Sequence, residues 1–134
     1  MLKIIIALIL LSHGIGHSMG LLQVFKIATV SPQWNGDSWL LSGPAASTLN
    51  QIVAVSLWTL AIVGFAALAA VVMGWLPETW WVPLAIGASA ASLAGLFLFP
   101  VAFPLFSTIG ALAANVGVLV AVLWWQWLPS DLAA

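Results

Sequence analysis

The stretch KIIIALILLSHGIGHSMGLLQVFK, residues 3–26, decides how this chain is read. It has a lysine at each end, and between them the polar side chains are few: Ser12, His13, His17, Ser18 and Gln23. A helix needs about 20 apolar residues to cross a hydrocarbon core of about 30 Å. The two lysines are spaced to reach opposite headgroup layers while their stems stay in the apolar zone. The start imitates a secretory leader, but apolar character resumes through LLQVF after the small residues. The stretch therefore reads as an uncleaved first membrane span.

Composition extends this reading to the whole chain. Hydrophobic residues make up 64% and charged residues 4% of 134, where a soluble domain carries about a quarter charged. So few charges cannot cover a water-exposed surface without large apolar patches, so the surrounding solvent is lipid. A net charge of −1 with no basic cluster argues against a nucleic-acid partner. The absence of cysteine removes disulfides, thiolate nucleophiles and iron–sulfur ligation.

Three further segments are long enough to span, at residues 51–75, 80–99 and 105–127. The fold predicted is a single all-α domain over residues 1–134, a four transmembrane helix bundle, since lipid demands internally paired backbones and four strands cannot close a barrel. Residues 27–50 form the one long polar connection, read as an NGD turn with a short interfacial helix and with Trp34 and Trp39 at headgroup depth. Pro77, Pro83, Pro100 and Pro104 punctuate the tight connections. With four spans, both termini and the LPET turn share one side, where six of the nine tryptophans gather as an interfacial belt.

Residues four apart lie on one helix face. His13, Gly16, His17 and Gly20 thus form a stripe in the middle of the first span, combining two imidazoles with the small-xxx-small spacing that admits a second helix. An ionisable group at that depth faces the bundle interior and needs a polar neighbour. Matching depths along the other spans selects Asn115, Ser89, Ser92 and Thr59 as candidates for one shared polar layer.

Four readings compete for this layer. Interhelical hydrogen bonding alone is the plainest, with the glycines there for packing. A divalent metal at His13 and His17 has the i, i+4 spacing of helical chelates but lacks a third ligand at that depth. Met19 lies about 200° round the helix from His17 and does not supply one. Haem or another tetrapyrrole could take His13 or His17 axially, with the glycines making room for the macrocycle. A quinone or lipid pocket is the fourth reading, apolar with a few convergent polar groups. Nucleophilic catalysis is hard to assemble, because Ser12 and Ser18 point away from the histidine face and Asp37, Glu78 and Asp131 lie in turns or at the C-terminus. The leading expectation is a non-catalytic accessory or assembly subunit, bound to the lipid bilayer and to other membrane subunits or to itself.

Length, span number and the opening LLSHGIGHSMGLLQ resemble the DoxX-like group of small four-helix bacterial membrane proteins. His13, Gly14, His17 and Gly20 match that group's H-G-x-x-H pattern and following glycine, and ALAAVVMGWLP matches its second-helix ending. The resemblance implies a bacterial cytoplasmic (inner) membrane and an accessory role. The group commonly carries a glutamate in the second helix where this chain has Thr59 and Gly64, so no redox role is carried over.

Overall fold

The structure is a computed structural model, described here over residues 1–133. It is an all-α integral membrane protein with four helical spans. The first is a helix in two parts, α1 (Leu2–Gly16) and α2 (Ser18–Val24). The second is α3 (Ala46–Val72), which starts several residues before the expected boundary. A 3-10 turn, Glu78–Trp80, leads into the third, α4 (Trp81–Leu98). The fourth is α5 (Leu105–Leu119), continued by a π-helical turn over Val120–Trp124.

The join between α1 and α2 is a local tightening. The His17 N–H bonds to Gly14 O at 3.1 Å and the Gly20 N–H bonds to His17 O at 3.1 Å, both three-residue steps. Short 3-10 stretches turn successive residues through a wider angle than an α-helix does. The buried face of the first span accordingly runs through Ala7, Leu10, Gly14, His17 and Gly20, a mean spacing shorter than 3.6.

The second span is the hub, with α1 and α2 on one side of α3 and α4 on the other. Close approach to α3 is set by glycine at several places, three of them in the first two spans. A Cβ on Gly14 would sit 2.9 Å from Phe65 Cβ, one on Gly64 would sit 2.6 Å from Ala88 Cβ, and one on Gly20 would sit 2.6 Å from the Trp58 ring. Two apolar clusters result. One surrounds Phe65, Leu68, Val72 and Trp81, the other surrounds Trp58, Trp34, Phe99 and Phe103. The fourth span is set apart: 11% of its most apolar stretch is buried, against 44% for the third.

Both termini share one end of the bundle with the 73–80 turn. Trp81 Nε1 donates to Trp127 O at 2.9 Å, and the Ser130 N–H donates to Glu78 Oε2 at 2.7 Å. Gly74, at φ 78°, closes α3 with the Trp75 N–H on Ala70 O, a left-handed cap that glycine adopts without strain. Trp75, Trp80, Trp124 and Trp125 are all exposed at this end, as an interfacial belt requires.

At the other end the long connection differs from expectation. Residues 27–45 contain turns and bends with no helix. Gln23 explains this, because its side chain accepts from the Val30 and Ser31 N–H groups and donates to Ser31 O and Trp34 O. An amide that supplies four bonds to a loop replaces the backbone pairing a helix would provide. The loop then folds back over the bundle: Ser31 Oγ donates to Val101 O, Ser38 Oγ to Leu98 O and Trp39 Nε1 to Phe97 O. Trp39 stays exposed, but Trp34 is buried against Trp58 and Phe99 and belongs to the core, not to the headgroup layer.

Candidate functional site: a polar layer beside a lateral seam

The tightened turn at His17 swings its ring into the bundle, where it is buried. Its Nε2 lies 2.9 Å from Ser92 Oγ on α4. Asn115 on α5 donates from Nδ2 to the same Ser92 oxygen at 2.8 Å and to Ala111 O at 2.8 Å. The contact with a carbonyl fixes which end of the amide is nitrogen. Ser92 Oγ therefore accepts from Asn115 and pairs with His17 Nε2, the ring tautomer setting which of the two donates. One short chain, Asn115 to Ser92 to His17, thus ties the first, third and fourth spans together. Such pairing is what a polar group in hydrocarbon requires.

His13 sits one turn away on the edge of the buried face and is half-buried. Its ring meets His17 edge-on with centroids 5.2 Å apart and meets Phe65 edge-on at 4.4 Å. Among the described residues neither His13 Nε2 nor Asn115 Oδ1 closes a hydrogen bond, although both atoms are buried.

The other expected members divide. Ser89 is fully buried, but its hydroxyl bonds to nothing among the described residues. Thr59 is exposed on the lipid side of α3 and does not join the layer. It follows the fully buried Trp58 by one position, which turns it about 100° away from the core. Gly16 and Gly20 do not act as a pair. Gly20 lies under Trp58, whereas a Cβ on Gly16 would meet nothing within 4 Å. The tightened turn separates them, and Gly14 takes the packing role expected of Gly16.

Several residues that shape the site have no signal in the spacing argument. Trp58 fills the space between Gly20 and Gly95, a Cβ on the latter meeting Trp58 Nε1 at 2.8 Å. Phe65 and Phe103 wall the two histidines, with Phe103 5.9 Å from His17 between centroids. An aromatic residue far from either interface, such as Trp58 amid Ala, Val and Leu, is the sequence feature that could have marked this core.

Beside the layer, α1 and α5 touch only sparsely. A cavity of about 190 Å³ is lined by His13, Gly16, His17, Phe103 and Ser107 among others. A second of about 440 Å³ runs toward the termini past Ile6, Leu10, Phe65, Ala114 and Gly117. His13 lines both.

Chemically the layer offers imidazole, hydroxyl and amide groups without a carboxylate. Asp37 bonds within its own loop and to Asn50, Glu78 bonds Ser130, and Asp131 accepts from the Leu128 N–H. Among the described residues no three His, Cys, Asp or Glu side chains converge. No protein-family model, curated protein or solved structure matches this chain.

Proposed function

We propose that this protein is a non-catalytic accessory subunit of a larger assembly in a bacterial cytoplasmic membrane. The observation that carries this reading is the outer face of the fourth span. Gly110, Ala113 and Gly117 are exposed there, and a Cβ on either glycine would meet nothing within 4 Å. An interior helical glycine costs roughly 0.5–1 kcal/mol relative to alanine, and these two gain no internal contact in return. A strip of small residues on a lipid-facing helix is the surface against which another membrane helix packs closely. The resemblance of His13, Gly14, His17 and Gly20 to the DoxX-like pattern supports the same role. On this reading the Asn115–Ser92–His17 chain is structural: it holds the sparsely packed fourth span in place so that its outer face is presented.

The chain has no native cysteine, so single-cysteine variants report contacts cleanly. In native membranes, Gly110→Cys and Ala113→Cys are expected to cross-link to one defined neighbour, with Leu60→Cys, on the exposed face of α3, as the silent control. Gly110→Leu should dissociate the complex while leaving helix content intact. A protein that stays monomeric in native mass measurement and cross-links no more at 110 and 113 than at 60 would overturn the proposal.

A further inference from the structure

The end of the bundle where α2 stops and α3 starts carries two charged side chains, Lys26 and Asp37, while Lys3, Glu78 and Asp131 belong to the opposite end. Both line one cavity of about 580 Å³, and both are exposed. They do not pair with each other. Asp37 Oδ2 accepts from Asn35 at 2.8 Å and Oδ1 from Asn50 at 3.5 Å, and Lys26 is in no ion pair among the described residues. Ser47 and Gln51, four apart on one face of α3, bring a hydroxyl and an amide to the same space. Val24, Ile27 and Trp34 add apolar wall. The lysine is also held in a conformation that suits it poorly. The Lys26 N–H bonds to Gln23 O at 3.0 Å and the Ile27 N–H to Leu22 O at 2.8 Å, which sets Lys26 at φ 57°. The same kind of cap closes α3 on Gly74, the residue type it favours. A side chain is disfavoured in the left-handed region, so the turn alone does not account for a lysine at 26.

We propose that this cavity binds an ammonium–phosphate zwitterion of the phosphoethanolamine type, its phosphate taken by Lys26, Ser47 and Gln51 and its ammonium by Asp37. Charge decides the class. One cation and one carboxylate give no net attraction for a singly anionic group, whereas a zwitterion meets both. The volume falls within the range of small-molecule sites, about 300–1,000 Å³. Such a group has two sources, a lipid of the adjoining leaflet or its soluble glycerol ester. The position favours the lipid. Lys26 lies just beyond the span Leu2–Val24 and Gln51 lies in the second turn of the span Ala46–Val72, which puts the cavity at headgroup depth. Ile27, 70% exposed, stands at its edge as a contact for the upper acyl chain.

The test uses the full chain in nanodiscs holding equal parts of phosphatidylethanolamine, phosphatidylcholine and phosphatidylglycerol with the same acyl chains. Native mass spectrometry counts the lipids that leave with the protein. Phosphatidylethanolamine is expected about five-fold over phosphatidylcholine, which keeps the charge but has no N–H, the factor one lost hydrogen bond supplies. Lys26→Gly should lower its retention about five-fold, the most an exposed ion pair contributes. That variant relieves the cap at φ 57° and should fold normally. Asp37→Asn leaves one uncompensated cation and should turn the preference toward phosphatidylglycerol. Lys3→Gln, at the opposite end, should change nothing. Glycerophosphoethanolamine in large excess either displaces the lipid, which makes the soluble ester a ligand in its own right, or leaves it bound, which makes the lipid the source. Equal retention of the three lipids, indifference to Lys26→Gly, or an equal loss with Lys3→Gln would each overturn the proposal. The cross-links at 110 and 113 do not involve this cavity, so the two proposals fail independently.

Discussion

Two buried serines one turn apart on α4 should respond to alanine in opposite ways. Ser92 and Ser89 are both fully buried. Ser92 Oγ accepts from Asn115 at 2.8 Å and pairs with His17 Nε2 at 2.9 Å, whereas Ser89 Oγ has no partner among the described residues. Removing the Ser92 hydroxyl breaks both bonds at once. Asn115 Nδ2 keeps Ala111 O, but His17 Nε2 is left buried and alone. Interhelical bonds in membranes contribute about 0.6 kcal/mol on average and up to about 1.7, so Ser92→Ala should cost about 1–3 kcal/mol. Ser89→Ala removes a buried, unbonded hydroxyl and should fall between neutral and about 1 kcal/mol stabilising. The assay is equilibrium unfolding in mixed micelles on titration with a denaturing detergent, followed by tryptophan fluorescence. Equal losses for the two variants, or a neutral Ser92→Ala, would refute the assignment of the layer.

Three further substitutions probe other contacts. Gly20→Ala must displace the Trp58 ring, whose nearest atoms lie 2.6 Å from the new Cβ, and should destabilise by about 1–3 kcal/mol, the cost of overpacking. Gly16→Ala meets open space and should stabilise by roughly 0.5–1 kcal/mol through helix propensity; thermal unfolding of the pair checks both. Gln23→Leu should release the 27–45 loop without unfolding the spans, read as faster amide exchange at Val30 and Ser31 while the middle of α3 keeps its protection.

The spans were legible because lipid imposes a single rule, length of apolar sequence, and the chain obeys it four times. The layer was legible in part. His17, Ser92 and Asn115 share a depth and prove to share a contact, while Thr59 shares the depth and faces outward, because depth says nothing about rotation about the helix axis. The Gly16–Gly20 pairing failed for a different reason. It assumed 3.6 residues per turn through position 17, where two three-residue hydrogen bonds tighten the helix and hand the packing role to Gly14. The loop was misread because its turn residues suggested an interfacial segment, whereas the organising group is Gln23, a side chain in the preceding helix. The burial of Trp34 follows from that clamp and has no local signature of its own.

The central claim is that the first span turns His17 into the bundle and onto Ser92. Nitrogen-15 histidine spectra of the protein in bilayers test it most directly. The account predicts a His17 Nε2 signal shifted by a hydrogen bond that Ser92→Ala removes, and a ring that a lipid-dissolved nitroxide does not broaden. A His17 signal indifferent to Ser92→Ala and broadened by the nitroxide would place the ring against acyl chains and contradict it.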